Sequence, residues 1–260
     1  MAMRLDVINS STGIRLPLID YRAAARLGNP KRPNRILPLL RLRKSNSRSF
    51  CPFIRSIRSA ADSFANAPSF KYEDITSSLQ NVEVFDLTSK AVPIVDLWRN
   101  RKSVVAFARH FGCVLCRKRA DVLAANKDLM DAADVALVLI APGTVDQAIS
   151  FFEQTKFKGE VYADPSHSSY DALNFAYGVS TTFTPKAGMK IIESYLEGYR
   201  QDWELSFKEN TRTKGGWQQG GILVAGPGIN NISYLHKDKE AGDDPNIEDV
   251  LNACCSKPIF

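Results

Sequence analysis

The amino-acid sequence predicts an α/β domain in which a central mixed sheet is flanked by helices. The runs SVVAFARH (103–110) and VALVLIAP (135–142) are apolar and rich in β-branched residues, which is typical of strands buried on both faces. A segment with helical periodicity follows each run. Because strands and helices alternate with short connections, we expect the strands to be parallel and joined by right-handed crossovers.

The first half of the domain keeps to this alternation. The sequence predicts, in chain order, a strand at 81–87, the strand at 103–110, a helix over 117–133, the strand at 135–142, a helix over 144–157, a strand at 160–165 and a helix over 168–177. The helix over 144–157 begins with a capping-box pattern, because Thr144 can serve as its N-cap and Gln147 follows three residues later.

The second half has a different pattern. The sequence predicts a loop at 180–187, a helix over 189–207, a glycine-rich connection at 211–221, a hairpin formed by 222–226 and 232–238, and a helix over 245–255. Parallel strands, a helical insertion, and then a C-terminal β-hairpin plus helix together predict a thioredoxin-like fold. We place this thioredoxin-like domain at residues 75–256.

Charge divides the chain into two parts. The net charge is +6 overall, but residues 1–60 contain eleven Arg and two Lys against only Asp6 and Asp20. The remaining 21 basic and 26 acidic residues give the rest of the chain a net charge of −5. The basic character therefore belongs to the N-terminal segment, and each part needs its own interpretation.

The N-terminal segment, residues 1–65, has the composition of an organellar transit peptide, since it is rich in Arg and Ser and poor in acids. The alternative is a disordered basic tail with another role. Composition leaves both the chloroplast and the mitochondrion open, and places cleavage between about residues 50 and 70. No apolar run approaches the roughly 18 residues of a membrane span.

The stretch FGCVLCRKR (111–119) contains the candidate catalytic residues. Cys113 and Cys116 directly follow a buried strand and begin a helix, whose unpaired N–H groups favour a thiolate. Nearby Arg and Lys residues add positive charge, so the pKa of Cys113 should fall below the roughly 8.5 of a free thiol. We expect Cys116, one turn further on, to be the less exposed thiol and to resolve an oxidised Cys113.

Two other interpretations of the cysteine pair remain open at this stage. Both thiols can be structural core residues, or they can form half of a zinc site completed by His110 or by Cys254 and Cys255. Cys254 and Cys255 can alternatively take part in redox chemistry or remain inert. No cofactor is predicted, because the chain has neither a G-x-G-x-x-G fingerprint nor a P-loop.

Three segments carry a resemblance to a known family: WRNRKSVVAFARHFGCVLCRKRA (98–120), GGILVAGPG (220–228) and HKDKEAGDDPNIEDVL (236–251). Together they resemble the peroxiredoxin-like 2 family, thioredoxin-fold (peroxiredoxin-like) proteins related to the AhpC/TSA antioxidant proteins, and most closely its plant chloroplast members. The resemblance implies a redox role for Cys113 with Cys116 as its partner. It also implies a location in the chloroplast and a peroxide-type substrate.

The sequence departs from both parent motifs. A peroxiredoxin has Pro-x-x-x-Thr before its reactive cysteine, whereas this chain has ARHFG (108–112), which argues against fast hydrogen peroxide reduction. A thioredoxin has a cis-proline before its hairpin strand, whereas here Gly220 and Gly221 occupy that place. We expect these glycines to let the backbone approach the sulfur closely.

These observations predict a plastid thiol oxidoreductase that acts on a peroxide or disulfide substrate. An external thiol of the thioredoxin or glutathione type would reduce the oxidised protein. We expect neither nucleic acid nor, after import, a membrane as a partner. The alternative is a non-catalytic module that senses redox state or binds a partner. Arg109 is either an activating cation or a solvated charge, His110 either a general base or a packing residue, and Trp98 and Trp217 are core or lid aromatics.

Overall fold

The computed structural model describes residues 72–255, which form a seven-stranded mixed sheet flanked by helices. The predicted segment 1–65 lies outside the described residues. The strands are β1 (Glu83–Phe85), β2 (Ala91–Pro93), β3 (Lys102–Phe107), β4 (Val135–Ala141), β5 (Glu160–Ala163), β6 (Gly221–Ala225) and β7 (Ile232–Lys237). Their order across the sheet is β2-β1-β5-β4-β3-β6-β7.

The centre of the sheet confirms the predicted topology. Strand β4 is parallel to both β3 and β5, as the strand–helix alternation requires. Strand β6 pairs antiparallel with β3 and with β7, so the predicted hairpin extends one edge of the sheet. At the other edge β1 is antiparallel to β5 and to the short strand β2, which the sequence did not predict. The thioredoxin-like α/β fold class is thus confirmed.

Ten α-helices accompany the described sheet. They are α1 (Tyr72–Leu79), α2 (Val114–Ala125), α3 (Lys127–Ala132), α4 (Val145–Thr155), α5 (Ser168–Ala172), α6 (Val179–Thr182), α7 (Pro185–Leu196), α8 (Trp203–Ser206), α9 (Glu209–Thr213) and α10 (Ile247–Cys255). The capping box of α4 is confirmed, since Thr144 and Gln147 cap each other's backbone N–H groups.

The helical insertion differs most from the prediction. The expected single helix over 189–207 is wrong, because α7 begins earlier and a break separates it from α8. Thr184 caps α7, accepting the Ala187 N–H at 3.0 Å, and Pro185 stands at the first helical position, where its missing N–H does no harm. Gly198 has a φ of 99°, a left-handed conformation that ends the helix. Helix α5 also ends earlier than predicted, at Ala172.

The core lies on both faces of the sheet. Along β4, Leu137 and Leu139 pack on the face that carries α2 and α4, while Val138 and Ile140 pack on the opposite face. This double burial explains why β4 reads as a continuous apolar run. Trp98 belongs to the second cluster, and its indole N–H donates to the Ile229 carbonyl at 3.1 Å. Among residues 72–255, no helix is long and apolar enough to cross a membrane.

Candidate active site

The cysteine pair lies where β3 leads into α2. Cys113 is the N-cap of α2, with extended backbone angles, and its Sγ accepts the Cys116 N–H at 3.4 Å. The Cys113 N–H donates to the His110 carbonyl at 3.2 Å, which fixes the turn between strand and helix. The Cys113 sulfur thus lies at the positive end of the helix, as the sequence predicted.

Both thiols are buried and free. Cys113 is 2% exposed and Cys116 is 6% exposed, so the expectation that Cys116 would be the less exposed residue is wrong. The physical reason is that residues of the helical insertion cover the N-terminus of α2. Cys113 nevertheless lines a cavity, and Cys116 does not belong to the lining of that cavity.

Arg109 is buried directly behind the sulfur atoms. Its Nη1 lies 3.7 Å from Cys113 Sγ, and its backbone N–H donates to Cys116 Sγ at 3.2 Å. The remaining guanidinium bonds go to neutral oxygens: Nε to the Gln218 carbonyl at 3.1 Å, and Nη2 to the Gly216 carbonyl at 2.7 Å and to Thr182 Oγ1 at 3.4 Å. The solvated-charge interpretation of Arg109 is therefore wrong.

No aspartate or glutamate forms an ion pair with Arg109 within residues 72–255. A buried cation without a compensating anion is energetically unfavourable, so an anionic partner is expected beside it. In the described part of the chain, the group in contact with Arg109 that can carry a negative charge at neutral pH is the Cys113 thiol.

The two thiols have opposite shifts in pKa. A hydrogen bond from Cys116 is the largest influence on Cys113, and with the charge of Arg109 it outweighs burial and lowers the pKa of Cys113 from 9.0 to about 6. Burial, together with the neighbouring Cys113 sulfur, raises the pKa of Cys116 well above 9.0. Near pH 7 the pair therefore consists of a Cys113 thiolate that accepts a hydrogen bond from a protonated Cys116.

His110 is a neutral side chain in this site. Burial, followed by the charges of Arg109 and Arg117, lowers its pKa from 6.5 to about 3. The imidazole lines the same cavity as Cys113, and its Nδ1 is buried without a hydrogen-bond partner among residues 72–255. His110 therefore offers a hydrogen-bonding group but no positive charge at neutral pH.

The cavity in front of Cys113 has a volume of about 540 Å³ and an aromatic rim. The side chains of this rim are Phe183, Tyr195, Trp203, Phe207 and Trp217. Phe183 is 72% exposed, Trp203 59% and Phe207 63%, which is unusual for large apolar residues unless they meet a ligand. The prediction that Trp217 is a lid aromatic is consistent with its edge contact to Phe183, with ring centroids 5.9 Å apart.

Comparison with known proteins places this chain in a family. A family model described as AhpC/TSA antioxidant enzyme matches residues 122–240. The chain is 70% identical over 179 residues to the thioredoxin-like protein AAED1, chloroplastic, of Arabidopsis thaliana, covering 69% of this chain and 72% of that protein. It is 29% identical over 190 residues to peroxiredoxin-like 2C of Mus musculus, covering 72% and 83%. The chain belongs to the AhpC/TSA-related peroxiredoxin-like 2 family.

Membership of the peroxiredoxin-like 2 family supports a redox function, but the family model begins after the cysteine pair. The roles of Cys113 and Cys116 therefore have to be argued from this structure. Among solved structures, peroxidoxin BcpB of Mycobacterium tuberculosis is similar at 12% identity with a TM-score of 0.43, covering 62% of this chain and 84% of that one.

Gly220 and Gly221 have a different role from the one expected of them. At Gly220 a Cβ atom would overlap the Phe107 carbonyl oxygen, and at Gly221 it would overlap the His236 carbonyl oxygen. The close approach is thus between neighbouring strands, and no sulfur is among the atoms nearest either glycine. These residues allow β6 to pack beside the end of β3, from which Arg109 and His110 follow.

In this peroxiredoxin-like 2 protein the helical insertion covers the site and is held against α2 by polar contacts. We define the lid as residues 178–217; an antiparallel bridge between Tyr177 and Gln218 closes its base. Four contacts join the lid to α2. They are Gln201 Oε1 with the Val114 N–H at 2.9 Å, Asp202 with Arg117 at 3.1 Å, Glu197 with Lys118 at 2.7 Å, and Tyr199 Oη with Asp121 at 2.6 Å.

These lid residues were not identified from the sequence. Gln201 and Asp202 fall in a stretch that reads as ordinary amphipathic helix, and their partners are about 85 residues away in the chain. The available signal was the density of aromatic residues in 183–217, which exceeds what a small insertion can bury.

Cys254 and Cys255 lie far from the active-site pair. Their sulfur atoms are 3.2 Å apart, and the cation that acts on Cys254 is Lys102, the first residue of β3. Cys113 follows the other end of β3, and a six-residue strand spans about 17 Å. Burial raises the pKa of Cys254 to about 12, so this thiol stays protonated.

The zinc alternative lacks a ligand set in the part of the chain that the structure describes. No three His, Cys, Asp or Glu side chains there are grouped so that they could hold a metal ion. The separation of Cys254 from Cys113 gives the reason, since the two cysteine pairs lie at opposite ends of β3.

Proposed function

We propose that this protein is a thiol-dependent reductase of peroxide-type substrates, with Cys113 as nucleophile and Cys116 as resolving thiol. The observation that carries the proposal is the position of Arg109, a buried guanidinium that faces Cys113 Sγ and has only neutral oxygens as its other partners. This arrangement favours the ionised form of Cys113, and the thiolate is the reactive form of cysteine.

The chemistry transfers two electrons from the thiols to an O–O bond. The Cys113 thiolate attacks the terminal oxygen of a hydroperoxide, the O–O bond breaks, and the departing alkoxide takes a proton from solvent to become an alcohol. Cys113 is then a sulfenic acid. The Cys116 thiol attacks that sulfur, a disulfide forms, and the sulfenic oxygen leaves as water with the thiol proton.

The cavity favours an organic peroxide over hydrogen peroxide. Its volume of about 540 Å³ is large for a two-oxygen molecule, and aromatic side chains of the lid form its rim. Cavities of this kind bind ligands chiefly through apolar contact, with a few polar groups to fix orientation. Arg109 and the neutral His110 supply those groups beside the sulfur.

An external thiol must complete the cycle. One thiolate of a thioredoxin-type or glutathione-type reductant would attack the Cys113–Cys116 disulfide to form a mixed disulfide. A second reductant thiol would then attack the mixed disulfide, which releases the oxidised reductant and returns Cys113 and Cys116 to their reduced forms. The Arabidopsis relative bears a chloroplastic name, and residues 1–65 have a transit-peptide composition. We therefore place the reaction in the chloroplast, and the comparisons give no support to the mitochondrial alternative.

The test compares three single variants of the full chain for consumption of cumene hydroperoxide and of hydrogen peroxide, with reduced thioredoxin or glutathione as donor. Cys113→Ser should consume peroxide no faster than buffer, and Cys116→Ser should accumulate a sulfenic acid at Cys113 that dimedone traps. The matched control is Cys254→Ser, which should turn over like wild type. Wild-type turnover by Cys113→Ser would exclude the proposal.

The burial of Cys113 supports one rival function. At 2% exposure the sulfur is closed to a protein partner in this conformation, as expected of a redox sensor that reacts once and then signals. The same burial disfavours a protein disulfide as substrate. The peroxide assay separates the rivals, because a sensor would be oxidised stoichiometrically but would not turn over with either donor.

A further inference from the structure

Arg109 connects the cysteine pair to both ends of the lid. Its Nη2 donates to Thr182, the last residue of α6, and to the carbonyl of Gly216, which lies in the 3₁₀ turn Gly215–Trp217. Its Nε donates to the Gln218 carbonyl, at the base of the lid. One guanidinium therefore holds together the first turn and the last turn of the segment that covers the active site.

The charge balance of this arrangement depends on the oxidation state of Cys113. Among the described residues, every acceptor that the lid and its base offer to Arg109 is a neutral carbonyl or hydroxyl. The anion, in the part of the chain described, is the Cys113 thiolate, whose sulfur lies 3.7 Å from Nη1. When Cys113 and Cys116 form a disulfide, the two sulfurs together give two electrons to the peroxide, the Cys116 proton leaves in water, and Cys113 loses its negative charge.

We propose that Arg109 is a latch that couples the oxidation state of Cys113 to closure of the lid. The inference rests on the proposed function, because it requires Cys113 to alternate between thiolate and disulfide. In the reduced protein the thiolate neutralises Arg109 and the lid stays closed. In the disulfide form Arg109 is a buried cation without an anion, and exposure of its guanidinium to water becomes favourable.

Only one side of the lid is expected to open. Arg117 and Lys118 each have a carboxylate of their own, Asp202 and Glu197 respectively, so these two salt bridges keep a compensating anion when Cys113 is oxidised. The segments that depend on Arg109 are α6 and the turn Gly215–Trp217. Their release would uncover Cys113 next to Phe183 and Trp217, at the rim of the cavity.

The latch would allow a protein reductant to reach the buried Cys113–Cys116 disulfide. A peroxide is small enough to reach a buried thiolate, but a protein reductant must bring its own sulfur against the disulfide. Opening in the oxidised state alone admits the reductant when there is a disulfide to reduce. By linkage, the coupling is reciprocal: any contact that keeps the lid closed also favours the thiolate state of Cys113.

The test separates charge from disulfide geometry by changing the residue that caps α2. Ser and Asp are both good N-caps, so Cys113→Ser and Cys113→Asp keep the helix start while supplying a neutral and an anionic group respectively. Neither variant can form the disulfide, and neither needs a peroxide. Hydrogen exchange of the full chain, read by mass spectrometry, reports protection in α6 and in Gly215–Gln218, with β4 as internal control for folding.

We expect reduced wild type and Cys113→Asp to protect these lid segments equally. Oxidised wild type and Cys113→Ser should exchange about tenfold faster there, because a charge-assisted hydrogen bond is lost, with β4 unchanged. Equal protection in Cys113→Ser and reduced wild type would overturn the latch. Since these two proteins are compared without turnover, that result would leave the peroxidase proposal intact.

A second variant addresses the cation. A glutamine at position 109 carries no charge, so its contacts with the lid should not depend on the charge of Cys113. Hydrogen exchange in α6 should therefore be equally fast in the reduced and the disulfide form of Arg109→Gln. A persistent redox-dependent difference of the wild-type size in Arg109→Gln would mean that another group moves the lid, and the assignment to Arg109 would be wrong.

Discussion

The guanidinium of Arg109 lies 3.7 Å from the Sγ of Cys113, in a site where Arg109 is buried and its other partners are neutral oxygens. This contact links strand β3 to the start of helix α2. It supplies the positive charge that a thiolate needs, in surroundings where screening by water is weak. Together with the hydrogen bond from Cys116, this contact favours the thiolate form of Cys113.

Removal of the Arg109 charge should raise the pKa of Cys113. In Arg109→Gln we expect this pKa to move from about 6 towards the roughly 8.5 of an unperturbed thiol, because only the hydrogen bonds from Cys116 and from the helix N-terminus remain to favour the thiolate. The ultraviolet absorbance of the thiolate measures it. Arg109→Lys is the matched control and should retain part of the shift, whereas an unchanged pKa in Arg109→Gln would remove Arg109 from the mechanism.

Ionisation of Cys113 should also make stability depend on pH. The pKa of Cys113 is lowered from 9.0 to about 6 in the folded protein, so between these values the unfolded chain binds more protons than the folded one. The free energy of unfolding contributed by the thiolate therefore rises with pH through this window, and is lost as pH falls through about 6. Urea unfolding of reduced wild type and Cys113→Ser measures it.

The informative quantity is the difference in the free energy of unfolding between reduced wild type and Cys113→Ser. Wild type should gain stability relative to Cys113→Ser as pH rises from 6 to 8, since Ser carries no charge in this range. A constant difference across these pH values would show that Cys113 does not titrate there.

The glycines at the start of β6 provide a test of backbone packing. Gly220→Ala should lower the free energy of unfolding by roughly 2–4 kcal/mol. The added Cβ would overlap the Phe107 carbonyl oxygen and push β6 away from β3. The matched control is Gly188→Ala in helix α7, where no atom lies within 4 Å of the added Cβ, and a gain of up to about 1 kcal/mol is expected. Thermal unfolding compares the two; equal effects would refute the close strand approach.

The buried ion pair behind Cys116 should be costly to break. Arg119 binds Asp238 at 2.8 Å and Asp244 at 2.5 Å, and both Arg119 and Asp238 are buried. Arg119→Met should destabilise by about 3–5 kcal/mol, because it leaves the Asp238 carboxylate buried without its cation. Lys118→Met, which removes the more exposed pair with Glu197, should cost no more than about 1 kcal/mol.

A double variant checks the physical reason for that loss. Adding Asp238→Asn to Arg119→Met removes the uncompensated charge and should recover part of the stability. If the two single changes were simply additive in urea unfolding, the Arg119–Asp238 pair would not be the source of the effect.

Local patterns predicted the sheet and the cysteine pair well. The apolar run of β4 and the Thr144–Gln147 capping box each depend on residues close in sequence, and both are confirmed. The pairing of Cys113 with a helix start was likewise a local feature. Periodicity and capping chemistry carry this information within a few residues, which is why sequence alone sufficed.

The surroundings of the thiols were not predictable in the same way. The partners of Arg109 in the lid and at its base are 73 to 109 residues away in the chain, and nothing local marks Thr182 or Gly216 as acceptors. The burial of Cys113 has the same origin, since the lid closes over a helix start that would otherwise be exposed. The role of Gly220 was predicted wrongly for a similar reason. A pair of glycines indicates that something approaches the backbone closely, but the sequence does not show that the approaching atom is the Phe107 carbonyl oxygen rather than a sulfur.

The titration of Cys113 in the reduced wild-type protein is the most direct test. The rate of Cys113 alkylation, followed by mass spectrometry of its peptide, should rise with pH to a plateau with a midpoint near the lowered pKa of about 6. Cys116 should remain unmodified throughout, because burial keeps it protonated. A Cys113 midpoint at or above the roughly 8.5 of a free thiol would contradict the thiolate assignment.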